Sequence, residues 1–155
     1  MDQTKEQLQA EVRYAQRLCQ RTARLYRRAQ TTFTFLSIVA GSAALVSISA
    51  KLPPEFALSS AVAFAVFAAM NLAIRPAERI AQNESDVKKY AALLAKSVDL
   101  DVPAIRKLIA EARQTDAPEV EPLRDIAFND VMREINREDA IIPLSRSQKF
   151  LGAIA

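Results

Sequence analysis

Hydrophobic and polar positions are segregated along this 155-residue chain, not interleaved. Ala29 to Ala50 and Phe56 to Ile74 carry no charged residue, and only Lys51-Leu52-Pro53-Pro54-Glu55 separates them. As helices they would be about 33 Å and about 28 Å long at a rise of about 1.5 Å per residue, the thickness of a bilayer core. Neither has the polar stripe that a helix shows where it meets water. The first, TTFTFLSIVAGSAALVSISA, offers only hydroxyls, which can bond back to the carbonyl one turn earlier. The second, FALSSAVAFAVFAAMNLAI, adds two Ser and the amide of Asn71. The pattern predicts a transmembrane hairpin with spans over about 30–50 and 56–74, in preference to a buried soluble helix pair.

The flanking segments read as amphipathic helices. Over residues 4–28, Arg13, Arg17, Arg21, Arg24 and Arg28 fall on one arc, while Leu8, Val12, Ala15, Leu18, Cys19, Thr22 and Leu25 fall on the other. After Arg75-Pro76 a stalk continues the second span, with Ile80, Val87, Tyr90, Ala91 and Leu94 as its apolar stripe. A further helix opens at Asp101-Val102-Pro103 with Ile105, Leu108, Ile109 and Ala112 on one face. Pro118 to Pro122 forms a stiff acidic linker, and a helix over about 123–138 carries Leu123, Ala127, Val131 and Ile135 on one stripe. The tail IIPLSRSQKFLGAIA suits either a membrane-surface helix or a strip packed on the bundle. The expected fold is an all-α membrane protein: a basic amphipathic helix (1–28), a transmembrane hairpin (29–74) and a cytoplasmic helical region (75–155).

Charge orients this arrangement. Six arginines lie in the twenty residues before the first span, and Arg75, Arg79, Lys88 and Lys89 follow the second, whereas the connection holds only Lys51. Positive residues stay inside, so both termini are expected to be cytoplasmic in a multi-pass protein of a bacterial inner membrane. The first apolar block starts near residue 30 and is followed at once by another, the pattern of a retained anchor and not of a cleaved signal. The basic face has two compatible readings: arginines in water or on lipid phosphates, or a docking face for an acidic partner or for the acidic cytoplasmic helices of another subunit. A net charge of +3 is too small to imply nucleic-acid binding.

Small residues recur at four-residue spacing in both spans, as close helix packing in lipid requires. Ser37 with Gly41, Ala40 with Ala44, and the line Ala61, Ala65, Ala69 are the candidates for a hairpin or subunit seam. Asn71 could bond across helices or meet water, and Ser37, Ser42, Ser47, Ser59 and Ser60 could line a weakly polar path in an oligomer. No span contains an ionisable residue, which argues against a proton relay or coupled transport.

Catalytic chemistry finds no foothold. The chain has no His and one Cys, Cys19, which lies on the apolar side of its helix and reads as a packing residue. There is no phosphate loop, nucleophile motif or metal-ligand cluster, so neither an enzyme nor a cofactor is expected.

The succession RYAQRLCQRTARLYRR, two-span hairpin, stalk and APEVEPLRDIAFNDVMRE resembles the SLATT family, two-transmembrane effector domains of prokaryotic conflict systems. The likeness covers nearly the whole chain, and FND at Phe128 to Asp130 is its closest local match. It implies a homo-oligomeric effector of anti-phage defence that forms a pore or perturbs the inner membrane. A separately encoded nucleotide-signalling or sensor protein would supply the trigger. A membrane-anchored scaffold that recruits a soluble partner, and a holin-like lysis protein, are the competing readings.

Overall fold

The computed structural model describes residues 3–155, so the first two residues of the expected N-terminal segment lie outside the described residues. Among the described residues the chain is helical without strands: α1 (Lys5–Ser49), α2 (Pro54–Ile74), α3 (Pro76–Lys96), α4 (Val102–Arg113), α5 (Arg124–Glu134) and α6 (Arg146–Ile154), with short 3-10 turns at Glu121–Leu123 and Glu138–Ala140. Residues up to Leu25 join Arg79–Ala155 in one unit, and Tyr26–Glu78 form a second. The three segments read from sequence thus become two units, because the buried side of the N-terminal helix packs on the C-terminal helices.

In the first unit the N-terminal half of α1 supplies side chains to two apolar clusters. Leu8 and Val12 pack with Tyr90 and Leu93 of α3 and with Ile105, Ile109 and Ala112 of α4. One to two turns further on, Leu18 packs with Leu123, Ile126, Ala127 and Ala155, flanked by Tyr14, Leu25, Val120 and Leu144. Burial of several large aliphatic side chains, at about 1.5–3 kcal/mol each, is the main force holding α1 to its neighbours. α4 starts where the Asp101 carboxylate accepts the Ala104 N–H, with Pro103 in the first turn. The acidic linker is anchored and not a free spacer: Val120 and Leu123 enter the second cluster, and Arg124 holds Glu119 and Glu121.

α3 departs from the expected stripe. Its buried line is Asn83, Asp86, Tyr90 and Leu93, continued by Ser97 just past its end, whereas Ala91 is exposed and Ile80, Val87 and Leu94 are only half-buried. Polar members of that line do not show as apolar periodicity, yet each is hydrogen-bonded. The Asn83 amide donates to the Arg79 carbonyl, and the Ser97 hydroxyl donates to the Leu94 carbonyl.

In the second unit, α1 ends at a left-handed Lys51 (φ 52°), with the Leu52 N–H returning to the Ser47 carbonyl and the Lys51 N–H to the Ile48 carbonyl. That is a Schellman closure with Lys where Gly is usual. Pro53 and Pro54 then start α2. The expected continuous stalk is interrupted at Arg75, which is left-handed (φ 49°) and donates its N–H to the Asn71 carbonyl. Pro76 cannot supply the next backbone donor, so α2 stops and α3 begins on the following residue.

Candidate functional site

Within the 26–78 unit the two apolar helices pack through a narrow seam. A Cβ on Gly41 would lie 3.3 Å from Cδ2 of Phe64, so the glycine is the recess that admits this ring. Gly41 lies eight residues before the end of α1 and Phe64 ten after the start of α2, which makes the pair antiparallel across the four-residue connection. On α1, Ser37, Ala40, Gly41 and Ala44 all lie on the half-buried face, with Ser47 buried at its end. On α2 the half-buried positions are Ala57, Ser60, Ala63, Phe67, Ala68, Asn71 and Ile74.

Ala61, Ala65 and Ala69 are exposed, so they do not form the seam within the hairpin. Four-residue alanine spacing is met on several faces of so Ala-rich a helix, and bulky Phe64 opposite Gly41 selects the face used. The serines do not build a polar path within one chain: Ser37, Ser47 and Ser59 donate to the Phe33, Ala43 and Phe56 carbonyls of their own helices. Ser42 is exposed. Asn71 shares a groove with Gln30, Thr34, Ser37 and Arg75, at the polar end of the pair.

Between Phe35 and Leu72 the outer surface of this unit is dominated by apolar side chains. Among the described residues, fourteen of the seventeen exposed large hydrophobic residues lie between Phe35 and Leu72, including Leu45 at 71% and Leu72 at 77% exposure, and α2 contains no buried residue. Two helices, Lys5–Ser49 and the run from Pro54, are long and apolar enough to cross a membrane.

Part of the basic face of α1 is paired within the chain. Arg21 forms a bidentate pair with Asp130 (Nε to Oδ2 2.8 Å, Nη2 to Oδ1 3.1 Å), and its Nη1 donates to the carbonyls of Gly152 and Ala155 at 2.9 and 2.7 Å. One guanidinium thereby clamps α5 and the last turn of α6 onto α1. Arg17 pairs with Glu134 at 2.8 Å. The acidic partner for these two arginines is therefore the chain's own α5. Arg13 is half-buried in a separate cleft with Gln9 and Arg137, while Arg24 and Arg28 are exposed. Arg17, Arg21, Arg24 and Arg133 together with Asp130 and Glu134 border an open cleft between α1 and α5.

The FND motif acquires a structural meaning. Asn129 is buried, its Nδ2 donating to the Ile142 carbonyl and its Oδ1 accepting the Ile142 N–H, both at 2.8 Å. Asp130 holds Arg21, and Phe128 is half-buried. The tail packs on the bundle as a strip, with Leu144 and Leu151 against the second apolar cluster. Ser145 caps α6 in a reciprocal box with Gln148, and Gly152 lies against Ile126.

A second polar cluster joins α3 to the end of α4. Lys89 contacts Asp86 at 2.8 Å and Asp116 at 2.7 Å and donates to the Ala112 carbonyl, while the Tyr90 hydroxyl donates to Asp116. Asp86 also accepts the Ala117 N–H. Burial, aided by the Asp86 and Asp116 carboxylates, pushes the Cys19 thiol up to about 12. Burial and the Asp116 hydrogen bond raise the Tyr90 phenol. A thiol so protonated at neutral pH is a poor nucleophile, in keeping with a packing role. Among the described residues no group of three or more Cys, Asp or Glu side chains is placed to hold a metal ion. No protein-family model, curated protein or solved structure matches this chain.

Proposed function

We propose that the Tyr26–Glu78 unit is a membrane hairpin with both termini cytoplasmic in a bacterial inner membrane, and that the protein is an oligomeric two-transmembrane effector of a prokaryotic conflict or anti-phage system. The observation that carries the reading is α2, which has no buried residue and no ionised side chain between Glu55 and Arg75. In water each exposed Leu, Ile or Phe on this unit would forgo about 1.5–3 kcal/mol of burial, whereas acyl chains or further copies cover them without cost. Every backbone donor inside such a helix is already satisfied, as a bilayer demands.

A single pair of helices encloses no aqueous path, so a change in permeability requires several copies. The resemblance to two-transmembrane effectors supplies the direction of that change: a pore or a perturbed inner membrane once a sensor partner releases the assembly. The alternative, a membrane-anchored scaffold, differs in one measurable respect. Inducible expression with a potential-sensitive dye and propidium uptake is expected to show depolarisation for the native chain and attenuation in Asn71→Leu. Strong, correctly inserted expression with intact potential under infection and in its absence would contradict the effector reading and favour the scaffold.

A further inference from the structure

We propose that the cleft between α1 and α5 is a binding site for a compact phosphate polyanion, a pyrophosphate or the phosphate of a phosphomonoester. Four guanidinium groups, those of Arg17, Arg21, Arg24 and Arg133, border it, against the carboxylates of Asp130 and Glu134 only. The site therefore carries an excess of two positive charges, which a dianion or polyanion neutralises and a single carboxylate does not. Its volume, about 430 Å³, lies within the range of small-ligand sites. The α1 face that an acidic helix would take is already paired with Asp130 and Glu134 of α5.

The arginines are not equally free. Arg21 is committed to Asp130 and to the end of α6, which fixes it as a rigid floor. Arg24 is exposed and engaged by no carboxylate among the described residues. Arg133 is 58% exposed and its nearest carboxylate, Asp130, stands 3.9 Å away while holding Arg21. These two guanidiniums have forks available for bidentate phosphate recognition. Arg17 is shared: its Nη2 and Nε already meet Glu134, so an entering phosphate competes with that carboxylate. The site lies wholly within one unit and does not depend on the hairpin crossing a membrane.

The test is calorimetric titration of the purified, detergent-solubilised full chain with pyrophosphate at fixed ionic strength. Arg24→Gln and Arg133→Gln, both at the surface, are expected to weaken binding at least tenfold each. Glu134→Gln is expected to tighten it severalfold by freeing Arg17, and Arg106→Gln, on the exposed side of α4, to leave it unchanged. Equal loss in Arg106→Gln would reduce the effect to general charge, and unchanged binding in Arg24→Gln and Arg133→Gln would overturn the site. Binding seen only with phosphatidic acid in nanodiscs, and not with pyrophosphate in detergent, would overturn the soluble ligand in favour of a lipid headgroup.

Discussion

The side-chain amide of Asn129 and the backbone of Ile142 satisfy each other completely, donor to acceptor in both directions at 2.8 Å, inside a site where Asn129 is 1% exposed. This pair ties the segment between α5 and α6 to α5 and so places Ala155 under Arg21. Asn129→Ala would leave a backbone N–H and a carbonyl without partners, at about 1–3 kcal/mol each before relaxation. A loss of about 2–4 kcal/mol is expected in urea unfolding of the detergent-purified chain followed by circular dichroism. Asn129→Asp should recover only the contact that accepts the Ile142 N–H and be intermediate.

Arg21 should be coupled to Asp130 beyond their separate effects. Both side chains are about one-fifth exposed, at 20% and 19%, so the bidentate pair is neither fully desolvated nor freely screened. In a double-mutant cycle with Arg21→Gln and Asp130→Asn, a coupling of about 1.5–3 kcal/mol is expected. Arg21→Gln should additionally free the end of α6, making the region after Ser145 sensitive to limited proteolysis. Additive single effects would show that the pair holds nothing together.

How much of this was legible in the sequence varies with the kind of interaction. The uncharged stretches, the arginine arc and the apolar side of α1 follow from helical periodicity, and the structure keeps them. The partners of Arg17 and Arg21 were not legible, because periodicity assigns a residue to a face and says nothing about which distant helix covers that face. Asn83, Asp86 and Ser97 hid the buried line of α3 because their burial is offset by hydrogen bonds, local for Asn83 and in part from distant segments for Asp86 and Ser97, that periodicity does not reveal. Small size marks only where packing is possible: Ala61, Ala65 and Ala69 lie outside the face that the hairpin uses opposite Gly41, which leaves them to the subunit-seam reading alone.

Gly41 and Ala65 offer a direct contrast between seam and outer face. A Cβ at Gly41 already approaches Phe64 to 3.3 Å, and Gly41→Leu overpacks that contact by an amount that costs about 1–3 kcal/mol in ordinary cores. In a Cys19→Ser background, bismaleimide cross-linking between Ser37→Cys and Ala68→Cys should fall severalfold with Gly41→Leu. Ala65→Leu should leave it unchanged. Equal cross-linking in both would mean that the helices do not meet at Gly41.

Alkali should weaken the helical unit through Cys19 and Tyr90. Both groups keep their protons in the folded state at pH values where the unfolded chain releases them, with the Cys19 thiol at about 12 against an ordinary 9.0. Groups raised in this way contribute fully below their unfolded values and lose that contribution as pH rises towards the folded ones. The urea midpoint should therefore decline from about pH 9 to about pH 12, and Cys19→Ala with Tyr90→Phe should flatten the decline. At pH 7.5, Cys19 should react slowly with iodoacetamide until the chain is unfolded.

Membrane crossing by the hairpin is tested most directly by side-specific labelling of single cysteines in a Cys19→Ser chain, after confirming resistance to alkaline carbonate extraction. Lys51→Cys, in the connection between α1 and α2, should label with a membrane-impermeant maleimide from the outer face of spheroplasts. Glu78→Cys, just beyond α2, should label only after permeabilisation. Extraction by carbonate, or labelling of both positions from the same side, would contradict a hairpin that spans the bilayer.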